Sequence, residues 1–136
     1  MYLLDTNVVS ELRRLKPHGG VLAWLRATDH RLLRLSAVSL GEIQAGIELT
    51  RDQDPGRAAE IEHWADEVAR THEVIPMDTT ICRTWAKLMH GKSDTLADDA
   101  RIAATAVVHG LTVVTRNVRD FVPFDVPTFN PFQVSR

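Results

Sequence analysis

Short apolar runs alternate along this chain with longer stretches in which apolar residues recur every three or four positions. Tyr2-Leu3-Leu4 ends in Asp5-Thr6-Asn7, after which Val8, Val9, Leu12 and Leu15 take helical spacing, so strand, polar turn and helix are predicted. Pro17 to Gly20 breaks that helix, and Val21, Leu22 and Leu25 predict a short second one. A second strand is predicted over Leu32 to Val38. Ser39-Leu40-Gly41-Glu42 then has the Ser-x-x-Glu spacing of a capping box and leads into Ile43, Ile47 and Leu49. The turn cluster Asp52-Gln53-Asp54-Pro55-Gly56 separates this helix from another with Ala58, Ile61, Ala65 and Val68 on one face, with Trp64 beside it, and a helical hairpin follows. Val74-Ile75-Pro76 reads as a third strand, and Asp78 caps a helix that aligns Ile81, Trp85 and Leu88.

The stretch from Thr95 to Phe121 concentrates the most features. Asp98 or Asp99 starts a helix, Gly110 stops it, and Leu111 to Thr115 is a short buried strand followed by the polar cluster Arg116-Asn117-Val118-Arg119-Asp120. Val126 to Phe129 is predicted as a last edge strand, because Pro127 removes a ladder donor. Short strands alternating with helices imply one three-layer α/β domain over residues 1–136, with a central, mostly parallel sheet flanked by helices. In such a sheet the carboxyl ends of strands and the following helix starts share one edge, where Asp5, Glu42, Asp99, Asn117 and Asp120 are expected to meet.

At 136 residues and 44% hydrophobic content the chain can bury a core without covalent staples. Cys82 is the only cysteine, so no intrachain disulfide forms, and neither a leader nor an apolar run of ~20 residues is seen. A soluble cytoplasmic protein without membrane contact is the expectation. The net charge of −2 argues against nucleic-acid binding by bulk charge. The charge is segregated, however. Basic residues dominate from Arg13 to Arg34 and acidic ones from Asp52 to Asp78, a pattern that suits either a solvated surface or a local phosphate-binding face.

Several chemistries drop out. The six histidines show no short-range ligand pair and Cys82 has no partner, so zinc is not indicated. No Gly-x-Ser-x-Gly and no Gly-x-x-x-x-Gly-Lys occurs. A haloacid-dehalogenase-type phosphatase needs a second Asp where this chain has Asn7. The carboxylates remain. Asp5 serves either as a helix cap or as a cation or catalytic group, and Glu42 either as the capping-box partner or as a member of the same edge. Several carboxylates in one pocket repel unless a cation neutralises them, and an oxygen-only set suits Mg²⁺ or Mn²⁺.

Four pieces taken together resemble a known family: Met1 to Leu12 with its Leu-Asp-Thr-Asn start, Ser39-Leu40-Gly41-Glu42-Ile43, Asp99 with Ile102-Ala103-Ala104-Thr105-Ala106, and His109 to Phe121 followed by Phe129-Asn130-Pro131-Phe132. Their order and spacing are similar to the PIN domain, a Rossmann-like fold, and more closely to the FitB-like branch of the VapC toxins. The resemblance implies a Mg²⁺-dependent endoribonuclease (Mn²⁺ as substitute), the toxin of a type II toxin–antitoxin pair, which cleaves RNA with metal-activated water. It implies Asp5, Glu42, Asp99 and Asp120 as the catalytic and metal-holding set, with Asn117 and Thr6 as additional polar positions. Whether Asn117 or Asp120 faces the metal is open. Arg13, Arg14, Arg116 and Arg119 are candidate RNA contacts, and Ile43, Ile47, Ile61 and Trp64 candidate contacts for a VapB- or FitA-like antitoxin. A homodimer is implied, larger with antitoxin and reaching DNA only through it. The alternative is a non-catalytic or weakly catalytic FitB-like partner of a DNA-binding antitoxin.

Overall fold

A computed structural model describes residues 1–133. Its sheet consists of β1 (Tyr2–Leu4), β2 (Leu33–Ser36), β3 (Glu73–Ile75), β4 (Thr112–Val114) and β5 (Thr128–Phe129), in the order β3-β2-β1-β4-β5. Every pairing is parallel, with Leu4 opposite both Leu35 and Val114. The connecting helices are α1 (Thr6–Glu11), α2 (Gly19–Ala27), α3 (Ala37–Gln53), α4 (Pro55–Thr71), α5 (Thr79–Met89) and α6 (Ala97–His109). The chain builds outward from β1 to β3, then returns across β1 to lay down β4 and β5. That reversal leaves a crevice at the carboxyl ends of β1 and β4, where open α/β sheets bind ligands.

Period-two alternation in the strands feeds a core on each face of the sheet. Leu3 and Val113 pack with Ile81 of α5, with Ala100, Ile102, Ala103 and Ala104 of α6, and with Phe121. Leu4, Leu35 and Val114 pack on the other face with Val8, Val9, Val21 and Val68. The predicted hairpin is α3 and α4, with Ile47, Ala58 and Ala65 buried between them and Asp54 Oδ1 accepting from the Arg57 N–H at 3.0 Å.

Three of the differences from the sequence expectation bear on the site. β2 stops at Ser36, whose Oγ caps α3 by accepting from the Val38 N–H at 3.0 Å. Ala37 and Val38 are therefore helical, because a short apolar run does not by itself distinguish strand from helix. Ser39 then lies inside α3, fully buried, and its Oγ has no hydrogen-bond partner among the described residues, so the Ser39–Glu42 capping box does not form. Next, α6 begins at Ala97 after a 3₁₀ turn at Asp94–Leu96, which puts Asp98 and Asp99 in its first turn with Leu96 at the cap position. Gly110 ends α6 as predicted, at φ +65° in the left-handed region that favours glycine. Finally, Val118–Phe124 forms a 3₁₀ turn where only a polar cluster was expected, and it carries Asp120.

Candidate active site

Asp5 is the fixed point. It follows β1 directly, its N–H still bonded to Val114 O at 2.9 Å, and it is buried to 8% exposure. Both carboxylate oxygens are engaged. Oδ1 accepts from the Thr6 N–H at 2.9 Å; Oδ2 accepts from Thr115 Oγ1 at 2.9 Å and from Asn7 Nδ2 at 3.3 Å. Asp5 is thus the N-cap of α1 as well as a candidate site residue, and the two roles do not compete.

Thr115 ties the crevice together across the two central strands. Fully buried at the end of β4, it donates to Asp5 and accepts from the Asn117 N–H at 3.0 Å. Asn7 spans the same gap, with Nδ2 3.3 Å from Thr115 Oγ1 and Oδ1 accepting from the Arg116 N–H at 3.1 Å. Sequence reasoning missed Thr115 as a site residue. The signal was there: a polar residue closing an apolar strand, a place where burial demands a partner.

Glu42 projects from the second turn of α3, with Oε1 accepting from Thr6 Oγ1 at 3.0 Å. Freed from the capping box, it joins the acidic edge. Burial raises its pKa, the Thr6 bond lowers it, and the charges of Asp5 and Asp98 raise it again. Asp99 is pushed up to about 6, first by burial and then by Asp5, Asp120, Glu42 and Asp98. Asp5 is raised by burial against the opposing hydrogen bonds, with Asp120 adding to the rise. Four elements thus bring Asp5, Glu42 and Asp120 within electrostatic reach of Asp99, and perturbed carboxylates gathered in a crevice mark functional sites. Asp120 acts on both Asp5 and Asp99, whereas Asn117 enters the network through its backbone N–H.

No three acidic, histidine or cysteine side chains among the described residues close around one point as a ready-made metal cage. The donor set is nevertheless all oxygen and mutually repelling. It fits a hard divalent cation such as Mg²⁺, which keeps several waters and takes one or two carboxylates directly.

The remaining candidates lie around this centre. Arg13, Ser10, Glu42, Ile43, Gly46, Ile61 and Trp64 line a groove of about 310 Å³ between α1 and the α3–α4 hairpin, with Ile47 as its floor. Ile47 is only 1% exposed, so it supports the groove from below rather than presenting a free contact. Arg14 pairs with buried Glu11 at 3.2 Å, and Arg116 lies over the Phe132 ring at 4.0 Å. Arg119 is exposed on the 3₁₀ turn.

A family model described as PIN domain matches residues 2–125. Toxin FitB of Neisseria gonorrhoeae is 35% identical over 141 residues, covering 97% of this chain and 99% of that protein. The VapC ribonuclease Y4jK of Sinorhizobium fredii is 36% identical over 140 residues, covering 98% and 99%. A solved structure of FitAB bound to a DNA fragment contains a chain with TM-score 0.84 and 31% identity, covering 100% of this chain and 99% of that one.

Proposed function

The chain belongs to the PIN-domain family, and from that membership we propose that it is a Mg²⁺-dependent endoribonuclease, the toxin of a toxin–antitoxin pair, with Mn²⁺ able to substitute. The observation that carries the reading is the gathering of Asp5, Glu42, Asp99 and Asp120 at the β1–β4 crevice. Relatives named as a VapC ribonuclease and as a toxin support it.

Asp5 and Asp99 would hold the metal. When bound, the ion supplies charge neutralisation, polarisation of a phosphate oxygen and a water of lowered pKa. Thr6, Asn7 and Thr115 keep the Asp5 carboxylate in one orientation, so no rotamer search precedes each turnover. Asp99, with its pKa near 6, is mostly ionised at neutral pH. Glu42, anchored by Thr6, or Asp120, whose charge reaches Asp99, would orient the attacking water or help hold a second ion. In-line attack by water leaves a 5′-phosphate and a 3′-hydroxyl and has no use for the ribose 2′-hydroxyl.

The reading extends to partners. A VapB- or FitA-like antitoxin would lie in the groove bordered by Ile43, Ile61 and Trp64. The chain would form one PIN domain that dimerises in the cytoplasm, and DNA would be reached only through the antitoxin. Among the described residues no helix is long and apolar enough to cross a membrane.

The test is to induce wild type and Asp99→Asn in cells and map new RNA 5′ ends. Sharp 5′-phosphate ends present only with wild type are expected. Identical maps from two soluble, antitoxin-free proteins would reject the nuclease and leave a regulatory partner of the antitoxin.

A further inference from the structure

Arg101 was not singled out by its sequence context, yet it is the cation whose charge acts on Glu42 within the acidic set. It stands on α6 one turn after Asp98 and pairs with that carboxylate through Nη1. Its guanidinium carbon lies 5.1 Å from the centre of the Trp85 ring, within cation–π range. That ring is itself fixed, because Trp85 Nε1 donates to Ala97 O at 3.0 Å. Asp98 and Trp85 therefore hold the guanidinium in place. One of its nitrogens bonds Asp98, while the side chain keeps 37% of its surface open to solvent. Guanidinium carries five N–H donors in a planar fork that matches phosphate.

An acidic crevice repels RNA, so an entering strand needs a cation placed close to the carboxylates. Arg101 stands two residues after Asp99 on the same helix, with its guanidinium held by Asp98 and Trp85. We propose that Arg101 is a positioning residue that grips the phosphodiester backbone of a single RNA strand beside the acidic site, irrespective of base sequence. The proposal rests on the ribonuclease reading above. It assigns Asp98 a role outside the metal-holding set: it aims Arg101.

The test uses a short unstructured RNA oligonucleotide and the full chain carrying Asp99→Asn, in EDTA so that neither cleavage nor metal contributes. Adding Arg101→Met is expected to weaken RNA affinity about tenfold at low salt and to make the slope of log Kd against log salt shallower by about 0.7, the value for one lost phosphate contact on a single strand. Adding Arg101→Lys instead keeps the slope and loses only part of the affinity. Mn²⁺ affinity of Arg101→Met in the otherwise wild-type chain, read by calorimetry, stays within about twofold of wild type. If wild type cleaves RNA while Arg101→Met leaves affinity and slope unchanged, the inference falls and the ribonuclease reading stands. A Lys variant as impaired as the Met variant, or a matching loss of Mn²⁺ affinity, would show a structural or charge-balancing role and also overturn it. Failure of wild type to cleave, together with failure of the Asp99→Asn chain to bind RNA, overturns both.

Discussion

Asp99→Asn is expected to stabilise the metal-free protein at neutral pH and to change little near pH 3.5. Burial and the charges of Asp5, Asp120, Glu42 and Asp98 push the Asp99 carboxyl from its ordinary 3.8 to about 6. Between those values the folded chain binds more protons than the unfolded one, so stability falls as pH rises through that window and the whole penalty is present above it. A displacement of about 2 pH units corresponds to about 3 kcal/mol at most. Asp99 is only partly removed from solvent, so about half of that is the better figure. A negative charge in the first turn of α6 also gains roughly 0.5 kcal/mol from the helix dipole, which Asn forfeits. The net is about 1 kcal/mol in favour of the variant at pH 8, or about 3–4 °C in Tm for a chain of this length. Thermal unfolding of both proteins in EDTA at low ionic strength, from pH 3.5 to pH 8, measures it. The Tm difference should be near zero at the acid end and grow through pH 6. A variant no more stable than wild type at pH 8 would refute the claim that these carboxylates strain one another.

The same electrostatics predicts that Mn²⁺ affinity, followed by calorimetry, rises steeply between pH 5 and pH 6 and levels off above pH 7, as Asp99 gives up its proton; a flat profile would count against Asp99 as a ligand. Thr115→Val preserves shape but removes the hydroxyl that bonds Asp5 Oδ2 and the Asn117 N–H. It should cost about 2–3 kcal/mol in urea unfolding and reduce cleavage more than tenfold with helix content intact, whereas normal cleavage would show that Asp5 orients itself without it. Ser36→Ala should cost about 1 kcal/mol as a lost cap, while Ser39→Ala, which removes a buried hydroxyl without a partner, should be neutral or slightly stabilising. The reverse order in chemical denaturation would restore the capping box at Ser39.

Most of the architecture was legible because each strand is a short apolar run and most helices carry a regular apolar stripe. Asp5 and Gly110 mark their element ends in any reading of the residues. Glu42 was harder. The Ser-x-x-Glu spacing is a true local signal, but here the strand stops at Ser36, two residues before the end of its apolar run, and the cap moves from Ser39 to Ser36. Thr115 and Arg101 escaped for a different reason: their partners are Asp5, 110 residues away, and Trp85, on another helix. The 3₁₀ turn at Val118–Phe124 contains Pro123 and no helical period, so the sequence names Asp120 without placing it.

The central position of β1 has a consequence for how the protein comes into being. Its first strand must leave one edge open until β4 arrives, because Leu4 pairs with Val114 and Asp5 waits for Thr115. At ribosomal speeds the 110 residues between them take about 5–20 s to synthesise. Throughout that interval the nascent chain lacks half of its crevice, and Asp5 lacks the hydroxyl that orients it. Chain order alone therefore delays assembly of the acidic crevice until β4 and Thr115 have been made.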